Sequence, residues 1–152
     1  LNTVLITDPD DKTLTQLVRV VTQKYAHVYD YNAVQKENSA VPQYTLTLSD
    51  ETKMIAGYKC KRAIFDFKDS KYPDYDVYYT NDIEITAPNW ASPFHEINGV
   101  LMEYQVSRYG MDLRFTAKSV NHSKVESNQF EISEDYKIVT AEYLDDLFKS
   151  FQ

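Results

Sequence analysis

Val-Leu-Met-Glu-Tyr-Gln-Val-Ser-Arg-Tyr-Gly-Met-Asp-Leu-Arg-Phe-Thr-Ala-Lys, residues 100–118, decides the fold. Val100, Met102, Tyr104 and Val106 alternate with Leu101, Glu103, Gln105 and Ser107. After Arg108-Tyr109-Gly110, Met111, Leu113, Phe115 and Ala117 alternate with Asp112, Arg114, Thr116 and Lys118. A period of two puts successive side chains on opposite faces of an extended chain, so the stretch predicts an antiparallel hairpin turning at Arg108-Tyr109-Gly110. Glu103 falls on the polar parity, where Arg114 or Lys118 across the hairpin offers an ion pair.

The same rhythm extends upstream. Tyr44, Leu46 and Leu48 alternate with Thr45 and Thr47, and Ser49-Asp50-Glu51 ends that strand. In 54–67, Tyr58 and Cys60 share one parity, whereas Ala63, Phe65 and Phe67 share the other. One inserted residue near Lys61 or Arg62, a β-bulge, would gather all five on one face. Tyr75, Val77 and Tyr79 continue the pattern after Tyr72-Pro73-Asp74.

The flanks are less regular. Residues 2–7 are rich in β-branched types and run into the turn signal Asp8-Pro9-Asp10-Asp11. Residues 13–21 read as strand, although Leu14, Leu17, Val18 and Val21 also fit a helical stripe. Residues 24–31 alternate, and 32–41 are polar and aperiodic, predicting a loop or a short helical turn. Residues 82–99 hold Pro88, Asn89, Pro93, Asn98 and Gly99 and predict a long loop carrying Trp90 and Phe94. A short strand is predicted over 129–132. Thr140 is placed to cap a terminal helix whose apolar stripe is Tyr143, Leu144, Leu147, Phe148 and Phe151. The fold class is mainly β with a minor α component, a single domain over 1–152. Leu1 enters mid-strand, which predicts an upstream portion of the fold.

Composition narrows the function classes. The 152 residues carry a formal charge of −7, and an acidic surface repels phosphate backbones, so nucleic acid is not an expected partner. No run approaches the roughly 18 apolar residues of a transmembrane helix. Aromatic residues make up 14% of the chain, with 13 Tyr, which suits strands whose rings pack at one end and stay wet at the hydroxyl. A single cysteine, Cys60, excludes an intramolecular disulfide.

No motif predicts catalysis or a cofactor. Cys60 lies beside Lys59, Lys61 and Arg62, but in a strand those neighbours largely face the other way, so it reads as a buried structural thiol. His27, His95 and His122 lack metal-ligand spacing. His95-Glu96 with Asp82 or Glu84 is the one metal option, set against a solvated loop histidine. Asp82, Glu84, Glu96 and Glu103 offer carboxylates for a hydrolase, without a spacing that fixes their separation. Trp90 and Phe94 read as plugs closing a sheet, or as a partner surface.

Four ordered pieces carry a family resemblance. They are 53–63 (Lys-Met-Ile-Ala-Gly-Tyr-Lys-Cys-Lys-Arg-Ala), Tyr78-Tyr79-Thr80 with Ile83, 98–104 (Asn-Gly-Val-Leu-Met-Glu-Tyr), and Phe115-Thr116-Ala117. Over about 52–136 the chain resembles the GLPGLI-type secreted domains of unknown function, similar to the lipoprotein-localisation carriers (LolA/LolB-like). The glycine-rich stretch of that family is reduced here to Glu96-Ile97-Asn98-Gly99-Val100.

The resemblance implies a curved antiparallel sheet, a half-barrel, with a C-terminal helix. It also implies a place in the Gram-negative periplasm, at the outer membrane or outside the cell. The expected function is a non-enzymatic envelope domain binding a lipid or other hydrophobic molecule. Its lining would comprise Tyr58, Cys60, Phe65, Tyr79, Met102, Tyr104, Leu113 and Phe115, with Trp90 and Phe94 at the rim. The alternative is a filled core and a surface that contacts another envelope protein.

Overall fold

The computed structural model describes residues 1–108 and 111–151. Among them the chain is mainly β, with two antiparallel-rich sheets and two α-helices, one of them C-terminal. This bears out the fold class read from the sequence. The strands form two sheets rather than one, and neither is closed into a barrel. They lie in two compact units, Leu1–Glu37 with Ser123–Gln152, and Asn38–His122.

In the first unit, β1 (Asn2–Asp8), β2 (Thr13–Val20) and β3 (Gln23–Tyr29) form an antiparallel meander. Strand is the correct reading of 13–20, because Leu17 and Val18 are buried between two paired neighbours. The turn signal at Asp8 works as the sequence implies: its Oδ1 accepts from the backbone N–H of Asp10 and of Asp11. The polar stretch after β3 is a full helix, α1 (Tyr31–Ser39), longer than the turn expected. Asp30 Oδ1 accepts from Ala33 N at 2.8 Å, which satisfies an orphan donor of the first turn, and Val34 is buried.

The strand expected over 129–132 is instead a 3-10 turn, Ser127–Phe130, with Phe130 exposed. The short β9 (Lys137–Ile138) follows and pairs parallel to β3. The terminal helix α2 (Ala141–Lys149) is capped by Thr140, whose side chain accepts from Tyr143 N at 3.2 Å. It buries Leu144 and Phe148. Tyr143 reaches the Tyr25 ring, centroids 5.2 Å apart.

The second unit holds an antiparallel five-stranded sheet. Its order is β4 (Tyr44–Ile55), β5 (Tyr58–Phe67), β6 (Tyr75–Thr80), β7 (Val100–Arg108) and β8 (Met111–Thr116). The hairpin of 100–118 is present as β7–β8, pairing Tyr104 with Phe115 and Val106 with Leu113. Tyr109 and Gly110 of its turn lie outside the described residues. The β4–β5 hairpin turns on Ala56 and Gly57, at φ 51° and 84°, which twists in the sense that paired strands favour.

Two register shifts decide which side chains share a face. The bulge expected near Lys61 and Arg62 is absent from β5; the irregularity lies in β4, between Ser49 and Thr52. β5 therefore keeps its parity, and Tyr58 and Cys60 face away from Ala63, Phe65 and Phe67. The second shift lies in β7, where Tyr78 pairs with Glu103 but Tyr79 pairs with Leu101. Met102 is the extra residue. It separates Val100 and Met102 from Tyr104 and Val106, which simple alternation places together.

Two apolar clusters result, one on each side of the sheet. On one face Ala63, Phe65, Val77 and Tyr79 pack with Phe94 and Ile97, which descend from the 82–99 loop. On the other, Ile55, Cys60 and Met102 pack with Tyr78, Val100, Ile83 and Val120. Asn89 ties the loop down, donating to Ile97 O at 2.7 Å and Gly99 O at 2.8 Å. Gly99 permits the close approach: a Cβ there would lie 2.6 Å from the Tyr79 ring and 2.9 Å from Thr80 O.

Candidate functional site: a polar seam in the five-stranded sheet

The second shift also opens the sheet. β6 and β7 are paired only at Thr80–Val100, Tyr79–Leu101 and Tyr78–Glu103. Among the described residues, 75–77 then pair only with β5, and 104–106 only with β8. The strands part and leave a groove of about 470 Å³. Arg62, Ile64, Asp74 and Asp76 line one side, Gln105 and Arg114 the other. Tyr75 and Tyr104 also line it, and both belong to the opposite apolar face, so the groove looks into the parting of the strands.

Both of its arginines are ion-paired, and Asp74 Oδ1 accepts from Phe67 N at 3.0 Å. Arg62 contacts Asp76 at 3.1 Å and Glu51 at 2.6 Å, and these two bonds hold its guanidinium charged. At the closed end, Glu103 Oε1 accepts from Lys53 Nζ at 2.8 Å and Arg114 Nη2 at 2.7 Å. Its Oε2 accepts from Thr116 Oγ1 at 3.1 Å. Burial alone would raise the Glu103 carboxyl, but bonds from Lys53, Arg114 and Thr116 outweigh it and draw the group from 4.5 down to about 2. The Arg114 pairing expected from the hairpin is thus present, with Lys53 as a further partner the sequence did not indicate. Burial raises both phenols, that of Tyr75 to about 12.

The eight residues expected to line one cavity, and the two expected at its rim, do not surround one space. Phe65 and Tyr79 are buried in the first cluster, with Tyr104 at its margin. Leu113 and Phe115 share that face but lie on the outermost strand, 40% and 44% exposed. Phe115 stacks on Tyr104, centroids 5.1 Å apart. Tyr58, Cys60 and Met102 belong to the cluster on the other side. Trp90 and Phe94 are buried rather than at a rim, Phe94 standing edge-on to Phe65 within the first cluster.

The remaining candidates are dispersed. Cys60 is fully buried, and burial pushes its thiol up, away from the reactive thiolate. Tyr58 Oη lies 2.6 Å from His122 Nε2, and His27 Nδ1 lies 2.7 Å from Val139 O. Glu96 accepts from the Tyr44 hydroxyl at 3.0 Å. Among the described residues no group of three His, Cys, Asp or Glu side chains is arranged to hold a metal. Nor is any helix among them long and apolar enough to cross a membrane.

Fold and site together define a mainly β protein whose five-stranded sheet has an apolar interior and a polar, open groove. The chain matches the family model described as N-glycanase peptide, N-terminal domain, over residues 3–145, and it belongs to that family. No match was found among curated proteins or among solved structures. The family match overturns the resemblance to GLPGLI-type domains and lipoprotein carriers. Two glycines of the pieces that carried it have local structural causes: Gly57 occupies a left-handed turn position, and Gly99 a close backbone approach.

Proposed function

We propose that this chain is a non-enzymatic binding domain of an N-glycanase-type protein, engaging the glycoprotein substrate through the β6–β7 groove. The observation that carries this reading is the contrast between the apolar face of the sheet and the groove. The apolar face, where a hydrophobic ligand would sit, is occupied by Phe94 and Ile97 from the chain itself. The groove between β6 and β7 is polar and open.

The Glu103 carboxylate is not poised as a general acid. A general acid at neutral pH needs a raised pKa, and Glu103 is drawn the other way by its cationic partners. Such a domain would act by raising the local concentration of substrate at a catalytic domain, an effect that needs only modest affinity. The proposal keeps the protein in the Gram-negative envelope or outside the cell, where glycoproteins would be met.

The test is binding of the chain to a denatured N-glycoprotein and to the same protein stripped of its glycans, by interferometry. The intact glycoprotein is expected to bind more tightly. Equal binding to both, or saturable uptake of an apolar dye by the wild-type chain, would overturn the reading.

A further inference from the structure

Resting on that reading, we infer that the β6–β7 seam is a subsite for a neutral, hydroxyl-rich oligosaccharide. Charge is the first argument. Arg62 is held by Asp76 and Glu51 and Arg114 by Glu103, so neither guanidinium is left to draw an anion, and the chain's −7 opposes anions further. A neutral ligand loses nothing there.

Hydrogen-bonding capacity is the second. The seam assembles fixed donors on its guanidinium groups, acceptors on its carboxylates, and both on the Gln105 amide. Vicinal sugar hydroxyls both donate and accept, and they match such a mixed, planar set. Among the described residues the Tyr75 and Tyr104 hydroxyls have no hydrogen-bond partner, and burial alone raises both phenols.

An extended peptide added as a strand, the natural competitor, does not fit the seam. A strand inserted between β6 and β7 would hold their edges about 10 Å apart, twice the spacing of paired strands. Tyr78 and Glu103, one residue from the opening, are still paired directly. One residue advances the chain by only about 3.3 Å, so the parting is a wedge too narrow at its base for a strand.

The experiment is an amide NMR titration of the whole chain with α-linked mannotriose and with N,N′-diacetylchitobiose. A sialylated trisaccharide and an unglycosylated extended peptide serve as comparators, and the variant is Tyr104→Phe with Gln105→Ala. The neutral sugars are expected to shift resonances of 75–77 and 104–106, with affinity falling about tenfold in the variant while its spectrum stays dispersed. No shift at the seam with either neutral sugar, or seam shifts from the peptide alone, would overturn the inference. Glycoprotein binding measured in parallel separates the two levels. If the variant retains full affinity for glycoprotein, the subsite fails and the domain's role survives. If the wild-type chain ignores glycoprotein, the role fails, whatever the sugars do.

Discussion

The ring of Phe94 stands perpendicular to that of Phe65, centroids 5.4 Å apart and planes at 90°, so a loop residue fills the face that the strands leave apolar. Both side chains are all but completely buried. Removing one leaves a hole that neighbouring strands, held by their ladders, cannot close. Phe94→Ala is expected to cost about 3–5 kcal/mol in urea unfolding. The variant should also take up a small apolar probe such as benzene, which the wild type should not.

Glu103 gives the protein a defined acid response. Its folded pKa of about 2 lies below its ordinary 4.5, so its stabilising contribution is complete above about pH 4.5 and is lost as pH falls towards 2. Glu103 is buried but its partners Lys53 and Arg114 are solvent-exposed, which screens the pairing, so this amounts to on the order of 1–2 kcal/mol. Glu103→Gln should lower stability by that amount at neutral pH and flatten the decline from pH 4.5 to 2. Parallel acid limbs in the two proteins would remove Glu103 as the cause.

The two glycines should respond to alanine for different reasons. At Gly57 a Cβ meets nothing within 4 Å, so the change carries only the left-handed strain of φ 84°, about 1 kcal/mol. At Gly99 the Cβ would strike the Thr80 carbonyl and the Tyr79 ring. There the backbone must shift, and a loss of about 2–3 kcal/mol is expected. Thermal unfolding of the two variants should rank Gly99→Ala as the less stable.

Val21 offers a gain. A β-branched residue at φ 54° is strained, and its side chain, 86% exposed, packs against little in return. Asn tolerates this conformation, so Val21→Asn should stabilise the β2–β3 hairpin by about 0.5–1 kcal/mol in denaturant unfolding.

Alternation made the strands legible because a half-buried sheet imposes a period of two on every strand it contains. Thr140 was legible as a cap for the same kind of reason, a local bond between a hydroxyl and the first turn. The faces were harder. Whether Cys60 sits with Phe65 depends on where an extra residue is accommodated, and the sequence permits β4 or β5 equally. Phe130 shows the limit from the other side: an apolar residue in a short β-like run becomes strand only if a partner edge is there.

The groove was the least legible feature. Arg62, Asp76, Gln105 and Arg114 were visible only as polar positions of alternating strands, and their convergence follows from Met102 stepping out of register. That shift is a tertiary event. Nothing in the run Leu-Met-Glu-Tyr marks it.

Hydrogen exchange of the chain, measured by mass spectrometry with and without an N-glycosylated glycopeptide, tests the central claim most directly. Protection is expected at 75–77 and 104–106, where the backbones of β6 and β7 part, with the core strand β5 unchanged. Protection confined to the 82–99 loop or to the first unit, or none at saturating glycopeptide, would contradict it.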